Sequence, residues 1–133
     1  GEWSCEGFDR ALVEPVCMGS LIRYDWADEE GPGHILFANP DTLDTDMRPG
    51  VDPETTPHRS RKNLTIRLSE DDGENWIGSR VIEPGPSGYS DLTVLPDGRI
   101  GCLYEDDIVE RIYDDRYMTL ARFELEWILA DTK

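Results

Sequence analysis

The stretch NLTIRLSEDDGENWIGSRVIEP (63–84) places a short polar segment between two apolar ones that are rich in β-branched residues. Such residues favour strands, so two strands joined by a tight turn are predicted. In the turn, the side chains of Ser69 and Asp71 are expected to bond the backbone, and Gly73 is expected to take a positive φ. Trp76 is expected to pack underneath the turn. The stretch therefore predicts an antiparallel β-hairpin.

Other segments of the chain have the same strand-like composition and are bounded by Gly, Pro, Asp or Asn. They are SLIRY (20–24), HILFA (34–38), LTVL (92–95), IGCLY (100–104) and YMTLARFEL (117–125). PDG (96–98) is a strong signal for a hairpin turn. Since no segment holds a helical period over three turns, the sequence predicts an all-β, mostly antiparallel fold.

The predicted strands recur in sets of four. GSLIRY, HILFAN, NLTIRL and ENWIGSRVIEP form one set, and SDLTVL, RIGCLY and YMTLARF repeat its first three members. Four-stranded sets in series are typical of β-propeller blades, and a β-sandwich is the alternative. The prediction is about two blades' worth of strands: an outer strand of a preceding blade (1–16), one full blade (17–86) and three strands of a last blade (87–133). Residues 40–60 are predicted to form a long loop.

The composition bounds the partners of the chain. Its 133 residues are enough for one modest domain, and they carry a net charge of −16. Such a charge repels nucleic acid and anionic membranes, so neither is expected as a partner. No apolar run reaches the length of about 18 residues that a membrane span needs, and no leader peptide is recognisable.

The chemistry of cysteine and histidine gives no sign of a metal. Three cysteines at irregular spacing argue against a disulfide framework, and Cys102 is expected to be a small buried hydrophobic residue. No CxxC pair is present and the two histidines are far apart, which argues against zinc. The acidic turn at 69–76 does not fill the ligand positions of an EF-hand calcium loop. Neither a metal nor a cofactor is predicted.

The segment GPSGYSD (85–91) places a tyrosine where a turn is predicted. Gly85, Pro86 and Gly88 are turn residues, and a turn tip is normally polar and exposed. Tyr89 is therefore expected either to pack as a lid over the core or to take part in chemistry.

Several motifs along the chain match the motifs of one known family. SEDDGENW (69–76) is a near match to the aspartate box, S-x-D-x-G-x-T-W, with Asn75 in place of Thr. GYSDL followed by CLYE, and R-x-N-L-T before the box, are the most specific further matches. The remaining matching segments are PVCMGSLIRY (15–24), HILFANP (34–40) and YMTLARFELEWI (117–128). The chain therefore resembles the C-terminal part of a sialidase. The resemblance implies an exo-α-sialidase, a retaining glycosidase built on a six-bladed propeller, that acts on sialylated glycans outside the cell or in the periplasm.

Several family roles fall on matching positions of this sequence. Tyr89 matches the nucleophile, and Arg61 matches the third arginine of the triad that binds the sialic acid carboxylate. Glu105 matches the glutamate that orients another arginine of that triad. Cys17 and Met18 open a first strand and are candidate residues of the pocket wall. The aspartate box is expected to be structural, with Ser69, Asp71, Gly73 and Trp76 as its matching members.

These residue types suit the chemistry that the resemblance implies. The anomeric carbon of sialic acid carries a carboxylate, which would repel an acidic nucleophile, and sialidases use tyrosine instead. A phenol with a pKa of about 10 needs a neighbouring base to react at neutral pH. Guanidinium pairs bidentately with carboxylate. In a propeller, strand connections of alternate type open on opposite rims, so Tyr89, Arg61 and Glu105 are expected on one rim and the box on the other.

Other family positions have no match here. They are the acid/base aspartate, the glutamate that activates the tyrosine, and the first two arginines of the triad, all of which would precede Gly1. The resemblance therefore implies a fragment that is inactive as an isolated chain.

Plainer readings of the same residues stay open. Tyr89 is then a packed turn aromatic and Arg61 is part of a solvated strand edge. Glu105 is then part of one acidic loop with Asp106, Asp107 and Glu110. A non-catalytic propeller module for carbohydrate binding or assembly is the alternative function. Because strand edges and blade faces are left open, self-association or pairing with an upstream half is expected, and three chains of eight strands could close a six-bladed ring.

Overall fold

The computed structural model of the chain describes residues 7–43, 60–106 and 117–130. Six strands and one short helix lie within these ranges. They are β1 (Ser20–Arg23), β2 (Ile35–Pro40), β3 (Lys62–Ser69), β4 (Gly78–Val94), β5 (Ile100–Asp106), β6 (Tyr117–Phe123) and α1 (Leu125–Leu129). Some sequence predictions lie outside the described residues: the start of the outer strand at 1–6, most of the loop at 40–60, and the part of the acidic loop after Asp106.

Each strand pairs antiparallel with the next one along the chain, so the sheet order is β1-β2-β3-β4-β5-β6. β4 belongs to both halves of this sheet. Its residues from Gly78 to Pro86 pair with β3, and those from Ser87 to Val94 pair with β5. We call β1, β2, β3 and the first half of β4 set one, and the second half of β4 with β5 and β6 set two. The predicted all-β, antiparallel fold is confirmed.

The first strands of the two sets run side by side. The Leu92 amide of β4 donates a hydrogen bond to Ser20 Oγ of β1 at 3.0 Å. Further along, the Tyr24 hydroxyl donates to the Gly98 carbonyl oxygen at 2.8 Å. β1 and the second half of β4 thus run in the same direction, which is the arrangement of inner strands in neighbouring propeller blades.

The hydrophobic core lies between the two sets. It is formed by Leu36, Ala38, Leu64, Ile66 and Leu68 of set one, Leu92, Ile100, Cys102, Tyr104 and Phe123 of set two, and Ile128 of α1. Cys102 is buried as predicted, and this burial raises the pKa of its thiol to about 12.

The opposite face of β3 is covered as well, by the segment before β1. Asn39 Nδ2 donates to the Val13 carbonyl oxygen, and Ala11 and Arg67 line the same shallow cavity. Arg67 is buried there and pairs with Asp41 at 2.7 Å. β3 is therefore buried on both faces from Leu64 onwards.

The structure corrects three expectations. GPSGYSD (85–91) is not a tight turn, because β4 stays extended through it with a register irregularity between Ser87 and Ser90. The last strand ends at Phe123 rather than at 125, and the unpredicted helix α1 follows it. The fourth strand of set one begins at Gly78, so Trp76 lies in the turn before it.

Two further predictions have different outcomes. The hairpin at PDG (96–98) is confirmed, with Gly98 at φ 82° and its amide bonded to the Leu95 carbonyl oxygen at 2.9 Å. No strand is formed by residues 7–19, and the assignment of 1–16 to a preceding blade stays a prediction. No helix within the described ranges is long and apolar enough to cross a membrane.

Candidate active site

Tyr89 lies where β4 passes from set one to set two. Just before it, the Ser87 amide donates to the Arg61 carbonyl oxygen at 2.9 Å, and Ser87 pairs with Asp106 at the end of β5. The register irregularity that follows interrupts the ladder at Tyr89, whose side chain is 42% exposed. The crossing thus brings the start of β3, the middle of β4 and the end of β5 to one edge of the sheet.

Glu105 folds back over this crossing. Its carboxylate oxygen Oε2 accepts a hydrogen bond from the Tyr89 amide at 3.2 Å. A Cβ atom added at Gly88 would meet the same oxygen, so the flexible end of the Glu105 side chain would have to move aside. Gly88 thus leaves room for the Glu105 carboxylate at a position that is not a turn.

Arg61 reaches the same place from the residue before β3. Its Cζ atom lies 5.3 Å from the centre of the Tyr89 ring, within the range of a cation–π contact. Asn63 takes a φ of 58°, and the register of β3 against β4 shifts on either side of Leu64. Asn tolerates the left-handed region better than most residues. The irregularity at Asn63 and Leu64 changes the direction of the chain between Arg61 and the rest of β3.

The segment before β1 forms the remaining wall of the edge. Arg61 Nη2 donates to the Val16 carbonyl oxygen, and Val16 has a φ of 61°. The Cys17 amide donates to the Glu14 carboxylate. Cys17 is buried and Met18 is 65% exposed, so of the two predicted wall residues only Met18 presents its side chain to solvent.

The structure brings Arg61, Tyr89 and Glu105 together, and we call the edge that they form the site rim. Their chemical roles remain predictions. Sequence reasoning missed Val16 and Gly88: a β-branched residue gives no signal of a left-handed backbone, and Gly88 was interpreted as a turn residue.

The aspartate box lies at the other end of β3, and we call that edge the box rim. Ser69 Oγ accepts hydrogen bonds from the amides of Asp71 (3.3 Å) and Gly73 (2.9 Å). Asp71 accepts from both the backbone amide of Asn75 (2.8 Å) and its side-chain amide (2.7 Å). Gly73 has a φ of 92°. Asn75, which departs from the usual Thr, therefore adds a bond to the turn.

Electrostatics at the box rim follow from these bonds. The Asn75 side-chain amide is the main cause that holds the pKa of the Asp71 carboxyl below its usual value. Trp76 Nε1 donates to Asp9 Oδ2 at 2.7 Å, and this bond lowers the pKa of Asp9. The Trp76 ring also contacts Phe37, with 6.0 Å between ring centres.

Neither rim offers the ligands of a metal ion. Within the described ranges, no group of three or more His, Cys, Asp or Glu side chains is placed to hold one. The chemistry open to the site rim is that of a phenol, a guanidinium and a carboxylate.

Comparisons with known proteins give the family. No protein-family model matches the chain. A sialidase of Micromonospora viridifaciens is 45% identical over 123 residues, which cover 90% of this chain and 16% of the relative. An exo-alpha-sialidase of Aspergillus fumigatus is 28% identical and covers 93% of this chain and 30% of the relative. The chain thus spans less than a third of the length of these curated relatives.

Solved structures agree with the sequence relatives. The Hadza microbial sialidase Hz136 has a TM-score of 0.58 at 29% identity, over 86% of this chain and 19% of the other. The intramolecular trans-sialidase of Ruminococcus gnavus, with a TM-score of 0.56 at 24% identity, covers 84% of this chain and 23% of its own, and supports the fold alone. These likenesses confirm the predicted propeller segment. The chain belongs to the sialidase family, and its strands form part of a sialidase-type β-propeller.

Proposed function

We propose that the chain is part of an exo-α-sialidase and contributes a tyrosine nucleophile and one carboxylate-binding arginine to a retaining active site. The observation that supports it most directly is the contact of the Arg61 guanidinium with the Tyr89 ring, beside the Glu105 carboxylate, on an exposed rim. The substrates in this proposal are sialylated glycans, and the site of action is extracellular or periplasmic.

The chemistry assigns one task to each group. The Tyr89 phenol attacks the anomeric carbon without the repulsion that an acidic nucleophile would meet from the sialic acid carboxylate. Arg61 binds that carboxylate through paired N–H donors. The base that takes the phenol proton and the acid that protonates the leaving oxygen come from outside this chain, since no residue here matches them.

The direct test adds the family's acid, base and first two arginines, which have no match in this chain. The chain is combined with the corresponding upstream part of a related sialidase, either as two chains or as a fusion, and a fluorogenic sialoside is assayed. Cleavage with retention of anomeric configuration is expected. Sustained activity of the Tyr89→Phe variant would refute the assignment of the nucleophile.

The isolated chain is expected to be inactive. A turnover number of ordinary size for an enzyme is roughly 1 to 1,000 per second. Such a value measured on this chain alone would contradict the proposal that the acid and the base come from outside it. If the combined protein binds sialosides without cleaving them, the alternative function, a non-catalytic module for carbohydrate binding or assembly, is favoured.

Self-association or pairing with an upstream half is the expected assembly behaviour. Large apolar side chains are exposed on the outer face of set two, where Leu103 pairs with Leu120 and Met118 lies beside them. Such a face invites contact with another chain. Light scattering at micromolar concentration tests this: a monodisperse monomer would contradict it, and a trimer mass would favour a closed ring of three chains.

A further inference from the structure

Val16 has an unusual backbone for its residue type. Its φ of 61° lies in the left-handed region, where a β-branched residue is a genuine outlier. The residue is 68% exposed, so burial of a packed side chain does not explain the conformation. Such strain persists only where the surroundings hold it, and it concentrates at functional sites.

The bonds around Val16 show what holds this conformation. On its C-terminal side, the Cys17 amide donates to the Glu14 carboxylate, which closes a small loop around Val16. The Val16 carbonyl oxygen itself accepts the hydrogen bond of Arg61 Nη2. A φ near −65° would turn the peptide that carries this carbonyl away from the guanidinium. The left-handed conformation thus aims a backbone acceptor at the side chain of Arg61.

The neutral acceptor of Arg61 differs from the partners of three other arginines, whereas Arg80 likewise donates to a carbonyl oxygen, that of Trp127, at 2.6 Å. Arg23, Arg67 and Arg99 each pair with an aspartate. Among the residues that the structure describes, no acid pairs with Arg61, although the chain holds 29 acidic residues against 13 basic ones. A carbonyl fixes the guanidinium without neutralising its charge, and Arg61 keeps N–H donors for a ligand.

We propose that Val16 is a positioning residue: its left-handed backbone holds Arg61 over the Tyr89 ring by a neutral hydrogen bond, so that the cation is oriented but left free for the carboxylate of the substrate. This inference rests on the proposed function for its substrate. The positioning itself is a property of the chain alone and is tested without a ligand.

The first experiment observes the Arg61 guanidinium by NMR in the intact chain. Restricted rotation, seen as separate nitrogen-15 signals for the two Nη atoms, is expected in the wild type, with Arg99 as an internal reference. Val16→Pro fixes φ near −65° and should average the two signals. Val16→Gly and Val16→Asn, whose residues accept a positive φ, should keep them separate. Averaged signals in the wild type, or in Val16→Gly, would overturn the proposal even if Val16→Pro fails to fold.

The second experiment measures binding of N-acetylneuraminic acid and of its methyl ester, which lacks the negative charge. Val16→Pro should weaken binding of the acid by roughly tenfold or more, the size expected for loss of an oriented charged hydrogen bond, and should change binding of the ester little. Arg61→Met serves as the control for the proposed function. If Arg61→Met weakens acid binding but Val16→Pro does not, the positioning role is refuted while the role of Arg61 stands. If neither variant changes acid binding while the NMR signals behave as expected, the carboxylate assignment fails and the positioning of Arg61 stands.

Discussion

At the box rim, Asp71 accepts hydrogen bonds from Asn75 and Ser69, and Trp76 donates to Asp9. At the site rim, at the other end of β3, Arg61 has one neutral acceptor and the Tyr89 side chain is exposed. In the described part of the chain, the buried hydroxyl of Ser87 on this rim has no hydrogen-bond partner.

This difference separates stability from function. A buried polar group without a partner costs about 1–3 kcal/mol, and a left-handed valine adds strain. Among the described residues of the box rim, no buried side-chain polar atom lacks a partner, and the two positive-φ residues, Asp72 and Gly73, are of types that accept this region. Unsatisfied groups are retained where another molecule is to satisfy them, so the site rim is the edge at which a ligand or a missing part of the protein is expected.

The largest effect is expected for Tyr89→Phe in the protein completed with its upstream part. Loss of the proposed nucleophile should lower the sialidase rate by roughly a thousandfold or more, with little change in the melting temperature because Tyr89 is exposed. Tyr24→Phe is the matched control, since the Tyr24 hydroxyl bonds Gly98 away from the site rim. It should lower stability and leave the rate per folded molecule unchanged. Equal rate losses in both variants would erase the distinction between the rims.

The strand order and the positions of the two rims are the features that could be predicted from the sequence. Strand composition, the repeat of the sets and the PDG turn predict the antiparallel order, because each is a local or periodic signal. Connection types along the repeat place Arg61, Tyr89 and Glu105 at one edge, and the structure brings them together.

Other features could not be predicted because tertiary contacts decide them. GPSGYSD carries turn residues, yet β4 stays extended there because β3 pairs with it on one side and β5 on the other. The left-handed Val16 is held by Glu14 and Arg61, which no local propensity reports. Helix α1 has five residues, too few for a helical period to be visible in the sequence.

Trp76→Ala should give the second largest effect, and on stability instead of activity. Truncation of a packed Trp costs about 3–5 kcal/mol, and the lower end is expected here because Trp76 is half-buried. Trp26→Ala is the control: Trp26 is an exposed tryptophan whose ring is contacted by Arg23. Chemical denaturation measures the free energy of unfolding of both variants. Selective loss of sialic acid binding in Trp76→Ala at unchanged stability would overturn the structural role of the box rim.

A smaller effect is expected for Gly88→Ala, which places a Cβ atom against the Glu105 carboxylate. Overpacking in a core costs about 1–3 kcal/mol, and the low end is expected here because the atom that must move is the flexible end of the Glu105 side chain. Gly31→Ala, where a Cβ meets no atom within 4 Å, is the control. In a double-mutant cycle, Glu105→Ala should relieve most of the cost of Gly88→Ala, because the added Cβ atom then meets no carboxylate. Additive effects of the two substitutions would show that Glu105 does not lie over the crossing.

The smallest effect concerns the acid stability of the box rim. The folded-state pKa of Asp71 lies below its ordinary value of 3.8, chiefly because the Asn75 side-chain amide bonds the ionised carboxylate. The ionised form is therefore favoured in the folded state, so its stabilising contribution is complete above pH 3.8 and is lost as the pH falls through the lower folded-state pKa. Asp71→Asn should make the melting temperature fall less steeply below about pH 4. Glu30→Gln removes one exposed acid of equal charge and should keep the steep wild-type fall. If both variants flatten the curve equally, the net charge of the chain, and not the bonds of the box turn, governs its acid stability.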